Sequence, residues 1–120
     1  MSNRYPGQYK VKRYNKYKNK KVKVGDLTFD SIKEYHYFIH LQTEKKQGRI
    51  KGFERQVKYI LLQKNDKFRA VTYRADFAVH HNDGSKEVID IKSLMTRKLE
   101  GYILRKKMMY AFFGIEIKEI

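Results

Sequence analysis

Two acidic residues and a lysine stand at spacings that suit metal-dependent phosphate chemistry. Asp90 and Lys92 lie two apart in the segment EVIDIKS, and Asp76 lies in the earlier segment YRADF. Residues i and i+2 of a strand project from the same face, so Asp90 and Lys92 are expected side by side. Carboxylate oxygens are the ligands that a hard cation such as Mg²⁺ prefers, and a nearby lysine can orient a water or stabilise a phosphate. These residues predict metal-dependent hydrolysis of phosphodiesters.

The two acids meet only if the strands that carry them form a hairpin. The segment FRAVTYRADFAVHH alternates like a strand, NDGS is typical of a hairpin turn, and KEVIDIKSL returns as the next strand. Opposed residues of such a pair stand about 5 Å apart, which would bring Asp76 near Asp90. Two carboxylates that close repel each other unless a cation lies between them or one is protonated. The first strand is predicted to place one set of apolar residues on one face: Val71, Tyr73, Ala75, Phe77 and Val79.

A plainer interpretation of the same residues is structural. Asp90 and Lys92 would form an ion pair on an exposed sheet face, and Asp76 would pair with Arg74. An acid followed by a lysine two positions later is a common surface pattern. The place of Asp76 across the hairpin, together with the charge of the whole chain, favours the chemical interpretation.

The charge of the chain indicates a polyanionic partner. There are 28 Lys and Arg residues against 13 Asp and Glu residues, a formal net charge of +15. Such an excess favours nucleic acid, or else a ribosome or an anionic membrane surface. Residues 1–25 contain no acid and interleave their cations with tyrosines, which suits phosphate contact and base stacking. The cations of this arm predicted to contact nucleic acid are Lys12, Arg13, Lys16 and Lys18.

Length and composition predict a single α/β domain, residues 26–120, behind a basic arm, residues 1–25. The chain has 120 residues and no cysteine, so thiolate metal sites are excluded. No apolar run reaches the roughly 18 residues of a membrane span, and the N-terminus lacks the apolar core of a secretory signal. We therefore expect a cytoplasmic protein with no membrane partner.

The remaining periodicity predicts a mixed central sheet of four to five strands flanked by two helices. A short hairpin is expected over residues 22–29, a strand over 53–62 and a last strand from 115. The first helix is expected over residues 31–47, with an apolar stripe of Ile32, Tyr35, Phe38 and Ile39. The second is expected over residues 97–113, with a buried stripe of Leu104, Met108, Ala111 and Phe112.

The ordered set of segments resembles the PD-(D/E)xK, or restriction-endonuclease-like, nuclease superfamily. FDSIKEYHYF opens a helix, GFERQVKYIL follows, and then come YRADF, EVIDIKS and a Tyr/Lys-rich helix from Tyr102. Residues 27–120 look most similar to small phage and prophage proteins related to phage-type Holliday junction resolvases. The resemblance implies a restriction-endonuclease-like core.

The resemblance also implies roles for individual residues. Asp76, Asp90, Glu34 and the backbone carbonyl of Ile91 would be metal ligands, and Lys92 would be the catalytic lysine. Gln56 would support the site or position a phosphate, and Arg105 and Lys106 of the second helix would contact the substrate backbone. For Glu34 an alternative stays open, because Ser31 and Glu34 have the spacing of a helix capping box.

By this resemblance the activity would be that of a Mg²⁺-dependent DNA endonuclease, with Mn²⁺ able to substitute. Its substrate would be branched DNA such as Holliday junctions, in phage DNA metabolism within a bacterial host. Paired cutting of a junction would require a homodimer. The alternative function is that of a basic nucleic-acid-binding protein without catalysis.

Overall fold

The computed structural model describes residues 21–120. The arm cations Lys12, Arg13, Lys16 and Lys18 lie outside the described residues. The chain forms, in order, β1 (Val22–Val24), β2 (Leu27–Phe29), α1 (Ile32–Lys46), β3 (Gly52–Leu62), β4 (Val71–His80), β5 (Lys86–Asp90), α2 (Leu94–Arg97), α3 (Glu100–Phe113) and β6 (Lys118–Glu119).

These elements build an α/β fold around a mixed four-stranded sheet. The strand order is β3-β4-β5-β6, with β5 and β6 parallel and the other neighbours antiparallel. The strands β1 and β2 form the separate hairpin predicted from the sequence, and its turn coincides with the predicted boundary between residues 25 and 26. None of the helices within residues 21–120 is long and apolar enough to cross a membrane.

The flanking helices number three in the described part of the chain, because the predicted second helix is divided. α2 ends at Arg97 and α3 starts at Glu100, with Leu99 in an extended conformation between them. The prediction of a continuous helix over residues 97–113 is therefore wrong at the start of that helix. Its predicted end is right, because Gly114 adopts φ 68°, a left-handed conformation that glycine reaches without strain.

The hairpin of β4 and β5 has the predicted register. Phe77 pairs with Ile89 and His80 pairs with Lys86, which places Asp76 opposite Asp90 one step beyond the pair of Phe77 and Ile89. The turn between the strands contains Gly84 at φ 91°. The turn and the strand lengths therefore bring the two acids to one end of the hairpin.

The sheet packs against two separate apolar clusters, and β4 changes faces between them. Tyr73 and Ala75 belong to the cluster that contains Tyr102 and Met109 of α3. Phe77 and Val79 belong to the cluster that contains Leu41 of α1. The prediction that the odd-numbered residues of this strand share one face is therefore wrong. The change of face falls at Asp76.

Both predicted helix stripes are also wrong in part. On α1 the buried side chains are Glu34 and Leu41, while Ile32 and Ile39 are exposed. On α3 the buried side chains are Tyr102 and Met109, while Leu104 and Phe112 are exposed, as is Ala111. Apolar residues lie on nearly every side of α3, so their spacing alone does not identify the side that packs on the sheet.

Candidate metal centre

Four of the predicted site residues, Gln56, Asp76, Lys92 and Arg105, line a cleft of about 460 Å³ at the end of the β4–β5 hairpin. Acidic, basic and hydroxyl groups meet there. The lining residues are Asp30, Gln56, Thr72, Tyr73, Arg74, Asp76, Lys92, Thr96, Tyr102 and Arg105. The cleft therefore has acids and cations within one opening, as a site for a metal ion and an anionic substrate requires.

Asp76 is held at the position where its strand changes faces. It is only 6 % exposed, and its Oδ2 accepts a hydrogen bond of 2.8 Å from the backbone N–H of Ile91. Ile91 follows Asp90 directly, so this bond ties the carboxylate of one strand to the backbone of the other. The backbone N–H of Ile91 thus orients Asp76, while a ligand role for its carbonyl stays a prediction.

Glu34 takes part in capping α1 and also lies among the acids of the candidate site. Ser31 caps α1 by accepting a hydrogen bond of 3.0 Å from the Glu34 N–H. The Glu34 Oε1 accepts a hydrogen bond of 2.9 Å from the Asp30 N–H, a variant of the capping box shifted by one residue. Its Oε2 points the other way and accepts 3.0 Å from the Gln56 amide. Burial, followed by repulsion from Asp76, raises the pKa of Glu34.

The side-chain amide of Gln56 lies between two of the acids, and its backbone has a strained conformation. Its Nε2 donates to Glu34 Oε2 at 3.0 Å and lies 3.5 Å from Asp76 Oδ1. Its φ of 54° is the only positive value among the non-glycine residues that the structure describes. A glutamine in this conformation costs about 1–3 kcal/mol and persists only where the surroundings enforce it. Gln56 therefore lies beside the acids, where the sequence placed it as a supporting residue.

Three carboxylates in the cleft approach closely enough to share one cation. Single oxygens of Asp30, Glu34 and Asp76 lie within 4.8 Å of one another. All three donors are carboxylate oxygens, which hard divalent cations prefer. This cluster could hold a metal ion. Asp30 was not predicted as a site residue, although its spacing of four from Glu34 was an available signal.

Asp90 lies beside this cluster and is completely buried. The Tyr73 hydroxyl donates a hydrogen bond to its Oδ2, and Lys92 Nζ lies 3.5 Å from its Oδ1. That Oδ1 has no hydrogen-bond partner within residues 21–120. Burial, together with the neighbouring Asp76 carboxyl, raises the pKa of Asp90 to about 7. A buried carboxylate with an unsatisfied oxygen fits a site that a cation completes.

The plainer structural interpretation is right about one ion pair and wrong about its exposure and about the partner of Asp76. Asp90 and Lys92 do form an ion pair, but Asp90 is 0 % exposed and the pair does not lie on an exposed face. Asp76 makes no ion pair with Arg74 among the described residues, and both side chains line the cleft.

The cations predicted on the second helix are used differently. Arg105 lines the cleft. Lys106 points to the other side and donates 2.9 Å to Glu119 Oε2, which also accepts from the Tyr102 hydroxyl at 2.7 Å. Although burial acts in the opposite direction, these bonds together lower the pKa of Glu119. Lys106 is therefore engaged within the protein, and its contact with nucleic acid stays a prediction.

Comparison with known families covers nearly the whole chain. A family model described as "Protein of unknown function (DUF1064)" matches residues 14–119. The chain belongs to this family. Every residue of the cleft of this DUF1064 protein lies within the matched segment. No curated protein matches the chain.

Proposed function

We propose that this DUF1064 protein is a Mg²⁺-dependent DNA endonuclease with a restriction-endonuclease-like core. One observation carries the proposal: a buried acid, Asp76, lines a cleft together with Lys92 and other cations, and a second buried acid, Asp90, lies opposite Asp76 with Lys92 3.5 Å away. Phosphodiester hydrolysis needs these groups together. The charge of +15 independently favours a polyanionic substrate.

The residues that would hold the ion are Asp30, Glu34 and Asp76, with Asp90 and the Ile91 carbonyl as further ligands. A bound Mg²⁺ would offset the repulsion among the acids and stabilise negative charge on the phosphate. Gln56 would keep Glu34 and Asp76 oriented through its amide. Lys92 would orient the attacking water or stabilise charge on the phosphate.

The walls of the cleft would bind the DNA backbone. Arg74 and Arg105 line it beside the acids, and the hydroxyls of Thr72 and Thr96 offer neutral donors to phosphate oxygens. Branched DNA is the proposed substrate and a homodimer the proposed assembly, both on the resemblance to junction resolvases. The arm of residues 1–25 would add sequence-independent affinity for the backbone.

The test is cleavage of linear, supercoiled and four-way-junction DNA by purified protein in Mg²⁺, Mn²⁺ or EDTA. Asp76→Asn keeps an acceptor for the Ile91 N–H but removes the charge, so it should fold and bind DNA without cutting it. Asp66→Asn, an identical charge change at an exposed turn residue, is the matched control and should cut as the wild type does.

Each outcome decides between the candidate functions. Metal-dependent cutting that Asp76→Asn abolishes supports the proposal. DNA binding with every substrate left intact in both metals would favour the non-catalytic binding protein. Equal cutting by wild type and Asp76→Asn would show that the site has been assigned to the wrong residues.

A further inference from the structure

Tyr73 contacts Asp90 in the cleft although nothing in its sequence context suggests a role there. Its ring is buried, 4 % exposed, and packs in the cluster shared with α3. Tyr73 is also one of the residues that line the cleft, and its hydroxyl donates to Asp90 Oδ2. Tyr73 is thus attached to the core at one end and to an acid of the site at the other.

This hydrogen bond makes the two oxygens of Asp90 different. Oδ2 is satisfied by Tyr73, whereas Oδ1 is the buried oxygen without a hydrogen-bond partner in the described chain, 3.5 Å from Lys92 Nζ. The terminal torsion of an aspartate is soft, so nothing in the side chain itself prevents the carboxylate from rotating. A rigid phenol anchored in the core supplies that restraint.

We propose that Tyr73 is a positioning residue that fixes the carboxylate plane of Asp90 so that Oδ1 faces the metal ion and Lys92. The inference rests on the proposed function, because it concerns the same site. Groups that orient a metal ligand by hydrogen bonding typically change metal affinity or activity by about 10–100-fold when removed. Tyr73→Phe removes only the hydroxyl and leaves the packing of the ring.

The sheet provides a matched control for this substitution. Tyr59 is the direct cross-strand partner of Tyr73, and its hydroxyl is buried without a hydrogen-bond partner in the described part of the chain. Tyr59→Phe therefore removes the same group from the neighbouring position without removing a hydrogen bond. A difference between the two variants reports the contact with Asp90 and not the loss of a phenol from the core.

The experiment measures Mn²⁺ binding to metal-stripped protein by the electron paramagnetic resonance signal of unbound Mn²⁺. Tyr73→Phe should raise the Mn²⁺ dissociation constant at least about tenfold, which is about 1.4 kcal/mol. Tyr59→Phe should leave it within about twofold of the wild type. Circular dichroism confirms that each variant is folded.

A double variant separates positioning from a general disturbance of the fold. If Tyr73 acts through Asp90, Tyr73→Phe should have no further effect on Mn²⁺ binding when Asp90→Ala is already present, because alanine has no oxygen to accept from the hydroxyl. If Tyr73→Phe weakens Mn²⁺ binding as much in the double variant as it does by itself, the role of Tyr73 is overturned while the metal site stands. A Tyr73→Phe dissociation constant equal to that of the wild type would have the same meaning. Absence of Mn²⁺ binding by the wild type would overturn the metal site of the proposed function and this role with it.

Discussion

Replacing Asp90 by asparagine should make the metal-free protein more stable, although it removes a residue of the proposed site. Burial raises the pKa of Asp90 from its ordinary 3.8 to about 7. Between these values the folded state retains a proton that the unfolded state has lost, so the free energy of unfolding falls as the pH rises. Each pH unit in this interval is about 1.4 kcal/mol.

The size of the effect follows from the interval. Above pH 7 the ionised Asp90 lowers the free energy of unfolding by at most about 4 kcal/mol. The attraction between Asp90 and Lys92 is already included in the pKa of about 7, so it needs no separate allowance. Asparagine keeps an oxygen that can accept from Tyr73 and carries no charge. The stabilisation of Asp90→Asn over wild type should therefore grow by roughly 2–3 kcal/mol between pH 5 and pH 8.

Urea denaturation in EDTA at both pH values measures this difference. Asp66→Asn is the control, because it raises the net charge of an already basic chain equally but at an exposed position. The control should be neutral or slightly destabilising at both pH values. An Asp90→Asn variant that is less stable than wild type at pH 8, or whose advantage does not change with pH, would refute the assignment of a desolvated carboxylate.

Three further predictions concern neighbouring residues. Glu34→Gln keeps an acceptor for the Asp30 N–H and should lose only the thermal stabilisation that a metal ion induces. Glu34→Ala should also lose about 1 kcal/mol of capping, measured by urea denaturation without metal. Equal stability of the two variants without metal would exclude the capping role. Gln56→Gly should be about 1 kcal/mol more stable than Gln56→Ala, because only glycine relieves φ 54°; the reverse order in thermal melts would contradict backbone strain. Arg105→Gln should lower the salt dependence of DNA binding by about one counterion, measured by filter binding over a salt series. Lys106→Gln should instead cost about 1 kcal/mol of stability in urea melts, because it removes one of the two hydrogen bonds to Glu119 Oε2.

Local signals in the sequence were sufficient for the parts of the site that depend on neighbours along the chain. The Asp83-Gly84 turn and the strand lengths on either side placed Asp76 opposite Asp90. The spacing of Ser31 and Glu34 identified the start of α1. These features depend on backbone preferences and on hydrogen bonds between residues close in the sequence, so one sequence is enough to predict them.

Features that depend on packing between elements were predicted poorly. The side of α3 that contacts the sheet could not be deduced because apolar residues lie around most of the helix, and Leu104 proved to be exposed. The change of face in β4 contradicts regular alternation and follows from packing on two different helices. Tyr73 entered the site through a contact that no spacing rule contains.

The sequence by itself determined the pairing of two strands, the start of α1, the end of α3 and the presence of two acids and a lysine on adjacent strand ends. Only the tertiary structure decided that Glu34 and Asp30 meet Asp76, that Gln56 lies between two acids, and that Asp90 is buried with one oxygen unsatisfied. The physical reason is that strand register is set by local geometry with a period of two residues. Burial and the sharing of an ion depend on distances between elements that are remote in the chain, and these are set by the packing of the whole core.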